Sequence, residues 1–224
     1  MVDRKGWTNV YQYFSGEKIW PRGFSLSELD FEKKAEEIRC PGKFPIQQGL
    51  ADDNPDVDAI FRLTTKAPVV FDKRKPLGLG DGSICPFNSQ NTTWFREAFM
   101  PMYLPSYCSF RMTDIWRSFV AQRIAWTCGW GILFHESTVR QERNEHDLLK
   151  DFSDEVVGYL DNHKIMEALS ALDLKSGPQN VADNLFSCYG QLIDLGLIKA
   201  EEMSLLKAWI DDVRLAVSGL YEGK

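Results

Sequence analysis

The chain has 224 residues, a formal net charge of −6, 44% hydrophobic and 26% charged residues, a balance that suits one substantial soluble domain or a domain with a helical addition. A general nucleic-acid binder needs a basic surface to displace counterions, and the acidic balance excludes one. No run nears the roughly 18 apolar residues of a membrane span, and the opening MVDRKGWTNVYQYFSGEKIW holds no apolar core of a signal peptide. That opening has no leading strand pattern, as expected for the later part of a longer protein. Cys40, Cys85, Cys108, Cys128 and Cys188 form no C-x-x-C pair. Buried free thiols are expected rather than a metal cluster, with a Cys85–Cys108 pair left open for an oxidising lumen.

In chain order, Pro21 and Gly23 bracket Arg22 in WPRGF and predict a bend. Residues 31–40, FEKKAEEIRC, predict a short surface helix, and the Pro-, Gly- and Asp-rich residues 41–58 a loop. DAIFRLT (58–64) and APVVFD (67–72) are strand-like in β-branched and aromatic content. KRKPLGLGDGSICPF predicts a glycine-rich loop or hairpin, and its GLGDG is not the G-x-G-x-x-G of a dinucleotide site. TTWFREAFMPMYLP predicts a short helix stopped by Pro101 and Pro105.

SYCSFRMTDIWRSFVAQRIAW then turns into a buried helix. Thr113 is a good N-cap and Asp114 stands in the first turn. Ile115, Phe119, Gln122 and Trp126 share one face, as do Trp116, Val120 and Ile124. GWGILFHES (129–137) returns as a strand. After residue 143 the period is helical. Leu148, Leu149, Phe152, Val156, Tyr159 and Leu160 form one stripe, VADNLFSCYGQLIDLGLI another, and Leu206, Trp209, Ile210, Val213, Ala216, Val217 and Leu220 a third. The expected organisation is a mixed α/β body over residues 1–142 and an all-helical appendage over 143–224.

Several clusters bear on chemistry. ADDNPDVDAI carries Asp52, Asn54, Asp56 and Asp58 but lacks the glycine and the twelfth-position Glu of a calcium loop, so it reads as a solvated acidic turn. Asn88, Ser89, Gln90, Asn91, Thr92 and Thr93 are consecutive hydrogen-bonding groups. They suit recognition of a polyol, with Trp94 available to stack; capping of a following helix is the alternative. His135 ends a predicted strand, and His146 lies beside Asp147 and Asp151 on a helix face read as solvated. Neither H-E-x-x-H nor G-x-S-x-G occurs. Asp114 has two readings: a first-turn carboxylate worth roughly 0.3–1 kcal/mol to its helix, or a general base displayed at a helix start. Residue type and spacing leave both open.

WPRGF, GLADDNPDVDAIFRL, PFNSQNTTWFREAFMPMYLP, FRMTDIWRSFVAQRI and RQERNEHDLLKDF, in that order, resemble the family of STELLO glycosyltransferase-like proteins. RGF, PDVDA and DIW also resemble, more distantly, the reversibly glycosylated polypeptides, which are UDP-arabinopyranose mutases. The resemblance spans roughly residues 15–155 and implies the acceptor-side part of a GT-A glycosyltransferase: a partial GT-A-like mixed sheet with flanking helices. By this resemblance Asp114 is the acceptor-side base. Arg22, Arg111 and Arg117 lie nearby to offset diphosphate charge, and Asn88, Ser89, Gln90 and Asn91 sit beneath the sugar or acceptor. Asp56 and Asp58 spell Asp-x-Asp but precede a strand-like run instead of ending one. Mn²⁺ or Mg²⁺ is therefore expected with a nucleotide-binding half outside these residues, and His135 and His146 are the candidate histidine ligands. The implied partners are a nucleotide sugar and a glycan or protein acceptor, with the Trp209 stripe for packing or for a protein partner. The implied compartment is the Golgi lumen. The alternative function is a non-catalytic glycan-binding or scaffolding module that assists a polysaccharide-synthesis complex.

Overall fold

The computed structural model describes residues 5–32, 42–65, 68–142 and 147–219. Most of the helix expected at 31–40, together with Cys40 and His146, lies outside them. Strands β1 (Gly6–Trp7) and β4 (Ser83–Ile84) pair in parallel as a two-stranded sheet, and the short helix α1 (Val10–Tyr13) follows β1. The main sheet has four strands in the order β3–β6–β2–β5. Its centre is the parallel pair β2 (Lys43–Asp52) and β6 (Trp130–Arg140), with β3 (Leu77–Leu79) and β5 (Thr92–Trp94) added antiparallel at the edges. The mixed sheet with flanking and C-terminal helices is the architecture expected.

Individual elements depart from expectation for identifiable reasons. The presumed loop at 41–58 contains β2. Its Pro45 falls where the register with β6 shifts between Lys43 and Ile46, so the missing N–H disturbs an irregular start and not the ladder's middle. DAIFRLT is helix α2 (Ala59–Thr64), because the Asp58 carboxylate accepts the Phe61 N–H at 2.8 Å and caps it. In APVVFD, Val69 forms an isolated bridge to Asp53. TTWFREAFMPMYLP is not a helix but β5 followed by two 3₁₀ turns, Arg96–Ala98 and Met100–Met102. GLGDG belongs to β3 and the turn into β4, and these two strands lie in different sheets.

Helix α3 (Thr113–Thr127) is as buried as its pattern predicts. Thr113 does not cap it: a 3₁₀ turn at Phe110–Met112 runs straight into the helix, and the Thr113 hydroxyl donates back to the Ser109 carbonyl at 3.4 Å. The helix separates two apolar clusters. Its small residues Ala121 and Ala125 join the sheet cluster around Ile46, Ile132 and Phe134. Its large residues Trp116, Phe119 and Val120 join a cluster with α4 (Leu148–Ala171), α5 (Val181–Asp194) and α6 (Glu202–Gly219).

The C-terminal helices are fastened to the body by polar bonds as well. Glu202, fully buried, accepts the Tyr107 N–H at 2.8 Å and the Ser106 N–H at 3.0 Å. Trp209 Nε1 donates to the Met100 carbonyl at 2.8 Å. Leu206, Trp209 and Ile210 of the third stripe thus pack inward, Ala216 is exposed, and Leu220 lies outside the described residues.

The stripe expected on α4 is not its buried face. Leu149 and Leu160 are 71% and 64% exposed, whereas Asp151, Glu155, Gly158 and Asn162 are buried ahead of Ile165, Met166 and Leu169. The first half of α4 lies against polar ends of other elements. Asn162 donates to the Gly23 carbonyl at 2.9 Å and accepts the Trp116 indole N–H at 2.9 Å. A Cβ on Gly158 would stand 2.4 Å from Met112 Sδ, so a larger residue there would make the buried Met112 side chain shift. Cys85, Cys108, Cys128 and Cys188 are free thiols, and burial pushes Cys85 up to about 12.

Candidate functional site

The bend WPRGF brings Arg22 under the first turn of α3. Gly23 adopts φ +85°, and a Cβ on it would lie 2.3 Å from Ile115 Cγ2, so only glycine lets the bend pass this close. Arg22 is 7% exposed at its side chain. Its Nε and Nη2 donate to the two oxygens of Asp56, each at 2.9 Å. Nη2 also donates to Asp114 Oδ1 and Oδ2 at 3.0 and 3.1 Å, and Nη1 donates to the Arg111 carbonyl. Asp114 Oδ2 additionally accepts the Ser89 N–H at 3.0 Å. Burial by itself would destabilise the charges, but the pairing outweighs it: Arg22 is raised above its ordinary value and Asp56 is held below the usual carboxylate range.

A second pair stands behind the first. Arg111 Nε donates to Glu155 Oε1 at 2.9 Å, and its Nη2 binds the same oxygen. Asp151 lies 3.9 Å from Arg111. Glu155, 0% exposed, also accepts the Ala59 N–H at 2.8 Å and the Tyr159 hydroxyl at 2.6 Å. Arg22, Arg111 and Arg117 thus share their surroundings with Asp56, Asp114, Asp151 and Glu155. Each of these carboxylates offsets guanidinium charge that a diphosphate would otherwise meet.

Arg117 is buried, donates to the Ser89 hydroxyl at 3.2 Å, and lies over the Trp94 ring at 4.9 Å and the Phe87 ring at 5.7 Å. Its Nε has no hydrogen-bond partner. The Trp94 surface expected to stack on a sugar is therefore already partly occupied by a guanidinium.

The Asn88–Thr92 loop is held in shape by Gln48 on β2. Gln48 Oε1 accepts the Asn88 N–H at 3.0 Å and the Thr92 hydroxyl at 2.9 Å, and its Nε2 donates to the Asn91 carbonyl at 3.2 Å. Asn88 Oδ1 accepts the Gln90 N–H at 2.9 Å, Gln90 Nε2 donates to the Asn54 carbonyl at 3.1 Å, and Asn91 Nδ2 donates to Thr138 Oγ1 at 2.8 Å. Most of the amides thus serve the loop itself, which presents Ser89 to solvent beside Asp114. The capping alternative fails because β5, not a helix, follows.

Of the expected histidine ligands, His146 lies outside the described residues. Among the described residues no group of three His, Cys, Asp or Glu side chains could hold a metal ion. His135 Nε2 pairs with Gln47 Oε1 at 2.8 Å on the sheet. Asp56 is engaged by Arg22, and Asp58 caps α2 and accepts the Trp20 indole N–H at 2.6 Å. All four oxygens of the PDVDA pair accept a hydrogen bond, and the carboxylates are 14% exposed at Asp56 and fully buried at Asp58, so this Asp-x-Asp does not fit a nucleotide-bound cation.

Burial raises Asp58 to about 6, against the lowering hydrogen bonds from Phe61 and Trp20. The folded protein therefore retains a proton that the unfolded chain releases near pH 4, its ordinary value. The Asp58 contribution to stability is full below about pH 4 and is lost as the pH rises to about 6. Urea unfolding of Asp58→Asn and the parent should show the variant gaining about 3 kcal/mol on the parent across that interval. A pH-independent difference would reject the raised value.

Sequence reasoning missed Gln48, Glu155 and Tyr159, and it did not pair Arg22 with Asp56. A signal existed for α4: Asp151, Glu155, Tyr159 and Asn162 recur at helical spacing and form a polar stripe beside the leucines.

In comparison with known proteins, residues 111–219, which begin at Arg111 and include Asp114 and Arg117, match the family model of the STELLO glycosyltransferases. The likeness to a glycosyltransferase family is thereby shown. Among individual relatives, the Probable glycosyltransferase STELLO2 of Arabidopsis thaliana is 29% identical over 222 residues, covering 92% of this chain and 27% of the relative. The Probable glycosyltransferase STELLO1 of the same plant is 32% identical over 142 residues, covering 59% of this chain and 18% of the relative. The aligned part of this chain thus corresponds to about a quarter of STELLO2 and less of STELLO1. Among the described residues no helix is long and apolar enough to cross a membrane.

Proposed function

We propose that this chain forms the acceptor side of a GT-A glycosyltransferase that moves a sugar from a nucleotide sugar to a hydroxyl of a glycan or protein, in the Golgi lumen. The observation that carries this reading is the hold on Asp114. A carboxylate has about four lone-pair sites. Arg22 and Ser89 take three contacts on this one, and the side chain keeps 17% exposure. A fixed, accessible acceptor remains at the positive end of α3. In the proposed step Asp114 takes the proton from the acceptor hydroxyl as its oxygen attacks the anomeric carbon. The glycosyl–phosphate bond breaks and its electron pair leaves with the nucleoside diphosphate.

The balanced charge around Arg22 and Arg111 favours an uncharged hydroxyl acceptor here over a diphosphate. Donor and divalent cation then depend on residues outside those described.

Calorimetric titration with UDP and UDP-sugars plus Mn²⁺ tests this division. The 224-residue chain is expected to give no heat, and the longest natural polypeptide carrying these residues is expected to bind. Tight donor binding by the short chain would reject the division, and no binding by either would favour a non-catalytic glycan-binding or scaffolding module.

A further inference from the structure

A cleft of about 540 Å³ opens at the other end of α3 from Asp114, within the size range of small-molecule sites. Asp114 and Trp126 stand at opposite ends of the helix, roughly 18 Å apart at 1.5 Å per residue. The cleft is therefore separate from the proposed acceptor site. We propose that it is a second binding site, for the ring of a neutral saccharide.

Its lining combines three chemistries. Trp126, Ile84 and Met166 supply apolar surface that suits the C–H face of a sugar ring. Glu28, Asp81 and Glu167 supply acceptors, and Lys5 and His163 supply nitrogen partners. His163 Nε2 is buried without a hydrogen-bond partner, 3.8 Å from Glu28 Oε1 and 3.8 Å from Glu167 Oε1. These gaps are too long for direct hydrogen bonds, and the Glu28 and Glu167 carboxylates stand at the rim as acceptors for ligand hydroxyls.

Charge narrows the ligand class. Arg123 is committed to the carbonyls of Leu169 at 2.8 Å and Leu172 at 2.6 Å, where it satisfies the end of α4. Among the described residues lining the cleft, Lys5 is then the cation facing three carboxylates, which disfavours a phosphate or other anion. A polyammonium ligand would use the carboxylates but not the nitrogen groups. Hydroxyls both donate and accept, and so use the whole rim.

The test is calorimetric titration of the protein with glucose, galactose, arabinose, maltotriose and, as a cation control, putrescine. At least one saccharide is expected to bind, with Trp126→Ala weakening it tenfold or more and Glu167→Gln severalfold. Glu167 is 71% exposed at its side chain, so its variant keeps the experiment decisive if Trp126→Ala does not fold. Asp114→Asn is expected to leave this affinity unchanged, which separates the cleft from the acceptor reading. Binding of putrescine alone, binding of no saccharide, or saccharide affinity indifferent to Glu167→Gln would overturn the proposal.

Discussion

Asp114→Asn is expected to lower kcat by about 10²–10⁴-fold in the longest natural polypeptide that carries these residues, with little change in KM for the acceptor. The reasoning starts from the bonds. Arg22 Nη2 and the Ser89 N–H hold the carboxylate against α3, and an amide of the same shape still offers Arg22 an oxygen. What the amide lacks is basicity, so proton removal in the transition state should suffer more than acceptor binding. A helix-stabilising role predicts something else: a loss of roughly 0.3–1 kcal/mol in stability and a normal turnover. Steady-state kinetics with a pH–rate profile separates the two. Loss of the ascending limb in the variant supports the base, and a full-rate enzyme reduces Asp114 to a residue of its helix.

The largest stability effect should follow Glu155→Ala, at about 3–5 kcal/mol. Glu155 is fully buried and joins three elements: Arg111 ahead of α3, the first N–H of α2, and Tyr159 on its own helix. Removing it takes the closer carboxylate from the Arg111 guanidinium, leaving Asp151 at 3.9 Å, and leaves two donors without an acceptor. Tyr159→Phe removes one of those donors and should cost about 1 kcal/mol. Urea midpoints for both variants give the comparison. If Glu155→Ala costs no more than Tyr159→Phe, the carboxylate does not hold α4 against α2.

The helices α3, α5 and α6 were legible because their apolar residues recur at the helical period and outnumber the buried polar ones, Arg117, Ser118 and Gln122 on α3, Asn184 on α5 and Glu202 on α6. β2 was hidden for the opposite reason. Its run KFPIQQGLAD carries a proline at an irregular start and two glutamines in the middle, and one of these, Gln48, is spent on bracing the Asn88–Thr92 loop. α2 looked like a strand because composition outweighed its cap: Asp58 was visible, but its bond to Phe61 was not. On α4 the leucines misled because the buried face there is set by charged partners from residues far away in sequence.

The site shows the same division. Asp114, Arg22 and Ser89 were legible as candidates, since a helix start, a bracketed bend and a polar run mark local geometry. Their commitments were not, because Arg22 meets Asp56 and Asp114 across 34 and 92 positions. Local patterns carry no information about such pairings, and these decide whether an arginine is free for phosphate.

The parallel pairing at the centre of the sheet also sets a clock during synthesis. Gln47 and His135, joined across β2 and β6, are 88 positions apart. At a ribosomal pace of about 5–20 residues per second, β2 waits roughly 4–18 s for its neighbour. Through that interval β5 can already pair with one edge of β2, but the β6 edge stays open beside Ile46 and Leu50, both fully covered in the finished sheet. A chaperone that captures extended apolar segments would find its best opportunity there, before β6 has left the ribosome.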